Sequence, residues 1–357
     1  MFNELHQRNI CVIDNSPYLW QTFLSGRFFL SSINLPRFSQ IQKLTPPFWA
    51  NSGHLQTILS HLIPSPTVKT SLEEHLIPLQ DGDRLKVYIH QGRLPVMITV
   101  FHGLSGDINS DYMQRTGLVA EQLGYGFTLV NHRGAHTGLP FAKNPYHSGK
   151  GEDASDVFEW LMRKYPHYFH IGVGISMSGS ILLNLLIGRR GHVKPNAVIT
   201  VNAPLDLKKG ALNLSQGLNR VYDFRFVKRL RSELKQKYKL GLLDHQYKIP
   251  LNATVWDFDE IYTGPATEFL TRENYYSSCS AKDDLSKVDR PCVLLMAMDD
   301  PFVDVHDYLQ AEKSNFIKMH IESVGGHLGY LGIDPKTGKV FRWLDYFLSQ
   351  TMQHLVN

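Results

Sequence analysis

With 357 residues, the chain is long enough for one large α/β domain carrying an insertion, or for two small domains. Its 43% hydrophobic and 20% charged residues suit a globular protein with a sizeable core, and a formal net charge of +4 is too mild to argue for a nucleic-acid partner. The three cysteines (Cys11, Cys279, Cys292) lack metal-ligand spacing, which argues against a disulfide framework or a zinc site and fits a reducing, cytoplasmic setting.

The amino terminus lacks the basic start, apolar core and cleavage site of a signal peptide, and no apolar run reaches the roughly 18 residues of a spanning helix. Residues 1–45 read as an amino-terminal extension, and 46–357 as the main domain. Pro17 to Ile33 is rich in aromatic residues. Its polar face is not basic, so it is expected to pack on the domain or over the mouth of the site rather than lie on a membrane. The prolines, aromatic pair and Gly-His step of Pro46-Pro47-Phe48-Trp49-Ala50-Asn51-Ser52-Gly53-His54 predict a fixed loop leading into a short helix.

Residues 73–90 predict a hairpin turning at Asp81-Gly82-Asp83. Val96 to Phe101 is a buried strand ending in His102-Gly103-Leu104-Ser105-Gly106, and Tyr112 to Leu123 reads as a helix. Phe127 to Val130 is the next strand, ending in Asn131-His132-Arg133-Gly134, followed by a helix over Asp153 to Lys164. Phe169 to Ile175 is a third strand, and the helix after it carries Ile181, Leu182, Leu185 and Leu186, with Arg189 and Arg190 in its last turn and Gly191 as its stop. This alternation predicts a parallel sheet covered on both faces. Ala197 to Val201 extends it. Residues 204–270 then break the rhythm as a cap-like helical insertion, in which Arg225 to Lys239 is amphipathic with Phe226, Leu230 and Leu234 on one stripe. Its basic face (Arg225, Lys228, Arg229, Arg231, Lys235, Lys237) reads either as a solvated surface or as a patch for anionic lipid headgroups. A strand over Pro291 to Ala297, a helix over Val305 to Lys313, a strand over Ile317 to Ile321 and a closing helix over Val340 to Met352 complete the chain.

Between the third strand and its helix, Gly174-Ile175-Ser176-Met177-Ser178 is close to the G-x-S-x-G nucleophile elbow of the α/β-hydrolases, where small residues let strand and helix pass around a strained serine. Ser178 competes as nucleophile, but Gly174 sets the register and assigns the role to Ser176. A serine hydroxyl needs a base, and the base an orienting carboxylate. In this fold they follow the serine in the order acid, then histidine. His327, between the glycines of Val324-Gly325-Gly326-His327-Leu328-Gly329, is the histidine in the loop after the last predicted sheet strand. Met298-Asp299-Asp300-Pro301 sits past a strand's carboxyl end, where α/β sheets place their sites, and leaves Asp299 and Asp300 both open. The N–H groups of Met177 and Leu104 are the expected oxyanion donors. His102 reads as a loop-ordering side chain.

These motifs, with Trp256-Asp257-Phe258-Asp259, Tyr275-Tyr276 and Ser280, resemble the YheT-like branch of the α/β-hydrolases, a family of esterases and lipases, from about residue 45 to 345. The resemblance implies an α/β-hydrolase fold with a helical cap, and a catalytic set of Ser176, Asp300 and His327. Asp300 is preferred because it falls in the family's G-x-x-D-x-x-V pattern, with Ala297 in place of the glycine and Val303 at its end; Asp299 would then cap the loop or the next helix. Ser178 and Ser180 depart from the Gly and Asn that members of the family more often carry. The implied activity is hydrolysis of carboxylic esters with an apolar part through an acyl-enzyme, without metal or cofactor. Two other readings share these residues: a lipase or phospholipase in peripheral contact with a membrane, and a non-catalytic binding module on the same fold.

Overall fold

Strands and helices alternate as predicted in the computed structural model, which describes residues 41–357. A short 3-10 turn, Phe48–Ala50, leads into helix α1 (Gly53–Leu62). The hairpin is β1 (Glu73–Pro78) against β2 (Arg84–His90), antiparallel, with Glu73 opposite Ile89. Then come β3 (Leu94–Phe101), α2 (Asp111–Gln122), β4 (Tyr125–Val130), α3 (Gly151–Lys164), β5 (Phe169–Ile175), α4 (Met177–Ile187) and β6 (Ala197–Val201). The helical excursion that follows contains α5 (Leu207–Leu214), α6 (Arg220–Lys239), α7 (Val255–Phe258) with a π-helical turn, and α8 (Arg272–Cys279). The chain ends through β7 (Cys292–Ala297), α9 (Val305–Gln310), β8 (Ile317–Glu322), β9 (Leu331–Ile333), β10 (Val340–Arg342) and α10 (Trp343–Val356).

Eight strands form one sheet in the order β1-β2-β4-β3-β5-β6-β7-β8, parallel from β4 to β8. Alternation along each strand feeds two cores. On β3, Met97 and Phe101 join the core under α3 and α4, whereas Ile98 and Val100 join the core under α2 and α10. The glycines of β5 follow from this geometry. Phe169, Ile171, Val173 and Ile175 all enter the second core, while a Cβ at Gly172 would stand 3.0 Å from Cζ of Phe158 on α3. Helix α3 can approach the sheet only because that position is bare.

Several boundaries differ from expectation. Helix α4 stops at Gly188, whose φ of 83° gives the left-handed cap, three residues before Gly191. Arg189 and Arg190 thus lie beyond the helix and pair instead with Asp284 and with Glu152 and Glu268. Val340–Arg342 is not the start of the closing helix but pairs antiparallel with β9, because the β9–β10 hairpin delivers α10 back onto the sheet. The helix from Val305 ends at Gln310, since Ala311 is already extended. The helical excursion runs past residue 270 through α8. Residues 41–45, the end of the predicted extension, pack on the domain: Leu44 is buried, and Trp343 Nε1 donates to Gln42 O at 2.7 Å. Pro17 to Ile33 and Cys11 lie outside the described residues. Lys237 leaves the predicted basic face: it is buried and its Nζ donates to Asn144 O at 2.9 Å, whereas Arg225, Lys228 and Lys235 stay exposed. Among the described residues no helix is long and apolar enough to cross a membrane.

Arg133, from the Asn-His-Arg-Gly stretch after β4, ties the turn of the hairpin to the start of α3. Its buried guanidinium is bidentate to Asp153 (2.6 and 2.7 Å) and reaches Asp81 and Asp83 at 2.7 Å each. Although partial burial opposes it, this cation holds the Asp81 carboxyl below its usual range. Arg133→Met is expected to lower stability by about 3–5 kcal/mol, because it strands the carboxylates of Asp83 and Asp153 in the interior. Urea unfolding of the two proteins checks this.

Candidate active site

The parallel strands β3 to β6 each end in a polar residue on the same rim of the sheet: His102, Asn131, Ser176 and Asn202. Ser176 stands between β5 and α4 with φ 53° and ψ −121°, a backbone state that non-glycine residues rarely adopt. Its neighbours make that possible. A Cβ on Gly174 would lie 2.6 Å from Ser178 O and 2.8 Å from Gly179 Cα, and a Cβ on Gly179 would lie 2.4 Å from the Ala203 Cβ. The downstream small residue that the turn requires is therefore Gly179, not position 178.

That relieves Ser178 of the glycine role, and its hydroxyl is committed elsewhere. It donates to His102 O and meets His132 Nε2 at 2.7 Å, with no access to the rim. His102 orders the loop as expected: Nδ1–H donates to Gly103 O (2.8 Å) and Nε2 accepts from the His132 N–H (3.1 Å). Burial pushes its pKa down to about 4, so the ring is neutral and this tautomer is set by its partners.

Ser176 Oγ lies 2.9 Å from His327 Nε2, and His327 Nδ1 lies 2.7 Å from Asp300 Oδ2. A carboxylate oxygen can only accept, so Nδ1 carries the ring proton and Nε2 is left to accept from the serine hydroxyl. Asp300 is further held by Asn202 Nδ2 on Oδ2 (2.5 Å) and by the N–H groups of Phe302 and Val303 on Oδ1 (3.1 and 3.0 Å). Asp299 turns the other way. Its Oδ1 accepts from the N–H groups of both Gly325 and Gly326 at 2.8 Å, fastening the loop that carries His327. The two adjacent aspartates thus divide into one that orients the imidazole and one that orients its backbone; the next helix is capped by Asp304. Arrayed this way, the three side chains can pass a proton from a serine hydroxyl to a base whose imidazolium form is stabilised.

Four residues that the sequence reading passed over complete the frame. Asn202, itself at φ 49°, joins Asp300 to Gly326 O (2.9 Å) and accepts from Tyr330 Oη–H at 2.5 Å. Its position just past β6 on the same rim was the available signal. Thr57 Oγ1 accepts from His327 N–H at 2.8 Å and donates to Gly53 O at 2.6 Å. It lies a few residues beyond the Gly-His step that marked the start of α1, and nothing in its local pattern says what it will touch. The Phe302 ring packs on the His327 ring at 4.0 Å between centroids. Tyr112 Oη accepts from Gly103 N–H at 3.1 Å. At the predicted oxyanion loop, Gly103 lies against the serine, where a Cβ would be 3.3 Å from Ser176 Cβ. Among the described residues, neither Leu104 N–H nor Met177 N–H is given to a protein acceptor.

Two cavities meet at Ser176. The inner one is walled by apolar side chains of β6-to-β7 helices, among them Leu214, Leu230 and Phe258. The outer one opens between α1 and the start of α6 and carries His61, Arg225 and Arg229. Leu104, Phe226 and Phe302 belong to both. Each cavity is roofed partly by α6.

No protein-family model matches the chain. The protein named "Putative esterase YheT" of Escherichia coli (strain K12) is 27% identical over 316 residues, covering 85% of this chain and 91% of that protein. The chain is similar to the YheT-like α/β-hydrolases over most of its length. "Phospholipase ABHD3" of Homo sapiens is 26% identical over 331 residues, covering 87% of this chain and 78% of that protein. Among solved structures, the Pyrococcus furiosus esterase Pf2001 superimposes with a TM-score of 0.54 at 11% identity over 82% of this chain and 99% of that one, a likeness of fold. The likeness to these relatives supports a hydrolase of the esterase and lipase type on an α/β-hydrolase fold.

The underside of α6 carries Glu233 and Lys237. Burial, opposed by Lys237, pushes Glu233 up from 4.5 to about 7; burial, opposed by Glu233, pushes Lys237 down to about 8. Between pH 4.5 and 7 the folded chain keeps a proton on Glu233 that the unfolded chain releases, so this group makes stability fall as pH rises through that window. Glu233→Gln should remove that fall. The melting temperature of the variant relative to the parent is expected to climb from pH 4.5 to pH 7, as calorimetry at several pH values would show.

Proposed function

We propose that the chain hydrolyses carboxylic esters with an apolar acyl part, using Ser176 as nucleophile, His327 as general base and acid, and Asp300 to orient and stabilise the imidazolium. The hydrogen-bonded line from Asp300 through His327 to Ser176, at 2.7 and 2.9 Å, carries this reading. Ser176 Oγ attacks the ester carbonyl carbon as its proton passes to His327 Nε2. The oxygen that gains charge is held by the N–H groups of Leu104 and Met177. Collapse of the tetrahedral adduct breaks the bond to the leaving alkoxide, which takes the proton from Nε2 and departs as the alcohol. A water molecule, deprotonated by the same nitrogen, then attacks the acyl-serine, and the acid leaves as the proton returns to Oγ.

The acyl chain is assigned to the inner cavity, because its walls offer mainly apolar surface and a carbonyl at Ser176 would lead straight into it. The alcohol part faces the outer cavity. The cations there, Arg225 and Arg229, favour a second reading in which the leaving alcohol bears an anionic group, as in a phospholipid at a membrane surface. Those cations also support peripheral contact with anionic lipid.

Turnover of p-nitrophenyl esters from acetate to decanoate tests the assignment. Ser176→Ala is expected to lower kcat by up to ~10⁶ and Asp300→Asn by ~10⁴. Asp299→Asn should instead cost mainly stability, through its loop, and leave most of kcat. Equal rates in the parent and Ser176→Ala would end the proposal. Leu230→Trp, which fills the inner cavity, should depress kcat/KM for decanoate while sparing acetate; the reverse order would remove the acyl chain from that cavity.

A further inference from the structure

Along residues 103 to 106 every backbone N–H but one is given to a protein acceptor. Gly103 N–H goes to Tyr112 Oη (3.1 Å), Ser105 N–H to Tyr146 Oη (3.1 Å) and Gly106 N–H to Gly103 O (3.0 Å). Leu104 N–H is left over. Its neighbour Ser105 is held at φ 55°, a conformation that persists in a non-glycine residue only where the surroundings enforce it. The enforcing groups are unusual in origin. Ser105 O accepts from Arg229 Nη1 at 2.9 Å, and Arg229 belongs to α6, 124 residues away.

Arg229 is not alone on that face. Arg229, Glu233 and Lys237 recur every four residues, one stripe of the helix. Glu233 accepts from Tyr146 Oη at 3.5 Å, and Lys237 Nζ donates to Lys143 O and Asn144 O at 3.3 and 2.9 Å, the turn just before Tyr146. Tyr146 is also stacked on His132, with ring centroids 5.5 Å apart and planes 10° from parallel. Arg229 and Lys237, two members of the basic face that reads from sequence as a solvated surface or a lipid patch, are therefore spent with Glu233 on the Ser105 carbonyl and on the segment that holds Tyr146 against the Ser105 N–H, while the adjacent face of the same helix roofs the inner cavity through Phe226 and Leu230.

We infer that Arg229 and Tyr146 are positioning residues: they fix Ser105 so that the Leu104 N–H points at the developing oxyanion, and helix α6 thereby completes the site only when it is seated over the cavities. The inference rests on the proposed serine-esterase reading and adds a coupling to it. Occupancy under α6 and aim of the oxyanion donor become one mechanical variable.

The test uses the full chain with p-nitrophenyl butyrate, and measures kcat, KM and the inhibition constant of an alkyl boronic acid, which forms a tetrahedral anionic adduct on a reactive serine. Removing an oxyanion donor costs ~10²–10³ in rate, and misaiming one is expected to cost about tenfold. Arg229→Ala and Tyr146→Phe should each lower kcat about tenfold with KM within about twofold, and weaken the boronate by a matching factor. Arg229→Lys, which keeps a donor, should recover part of the loss, and Lys228→Ala, on the exposed face, should match the parent. Tyr146→Phe keeps the stacked ring, so its kinetics can be read even where Arg229→Ala unfolds. Parental kcat in Arg229→Ala and Tyr146→Phe, with Ser176→Ala inactive, overturns the inference but leaves the esterase reading standing. A raised KM with unchanged kcat makes Arg229 a substrate contact and also overturns it. An inactive parent would sink the esterase reading itself.

Discussion

The left-handed backbone at residue 176 is the constraint on which the site depends. A serine held at φ 53° lifts its hydroxyl clear of both the strand that ends before it and the helix that starts after it. Such a conformation costs on the order of 1–3 kcal/mol and must be enforced. Enforcement comes from bare backbone at Gly174 and Gly179 and from Ser178, whose hydroxyl ties the first turn of α4 to the ends of β3 and β4. The serine that departs from the family pattern therefore serves as a buried strap. Glycine there would remove the strap and leave His132 Nε2 and the His102 carbonyl only each other, 3.1 Å apart.

What the sequence makes legible is largely what period and order encode. A buried parallel strand reads as a short apolar run, and β5 and β6 appear at their predicted limits. The order serine, acid, histidine is likewise linear information, and the three residues meet within hydrogen-bonding distance. Choosing between Asp299 and Asp300 was beyond local physics, because both sit on one loop and differ only in which way each side chain turns. The resemblance to a family pointed to Asp300, and the hydrogen bonds to Asn202 on one side and to Gly325 and Gly326 on the other give the physical reason.

Other features escaped because their partners are remote in sequence. Thr57 and Asn202 are ordinary polar residues until the fold sets them against the His327 loop. The charge stripe of α6 has the spacing of a solvated face, yet it meets the loop around Ser105 and Tyr146, and only tertiary contact distinguishes the two fates. The sequence pattern carries helix α4 three residues too far because two glycines, Gly188 and Gly191, both lie in the left-handed region and either can stop a helix. The first one reached does so. The closing helix is expected from Val340, but residues 340–342 pair with β9 and the helix starts at Trp343.

The join between α1 and the histidine loop has a consequence for how the molecule comes into being. A Cβ on Gly53 would lie 1.7 Å from Asp299 O, and a Cβ on Gly326 would lie 2.2 Å from Gly53 O, so three segments meet there with no space for even a methyl group. The backbone N–H of His327 is fastened to Thr57, 270 residues away along the chain. As the polypeptide leaves the ribosome, the His327 loop cannot be lodged until residue 327 has emerged and met the segment around residue 57. A chain cut short before that loop would therefore carry Ser176 without the imidazole that faces it.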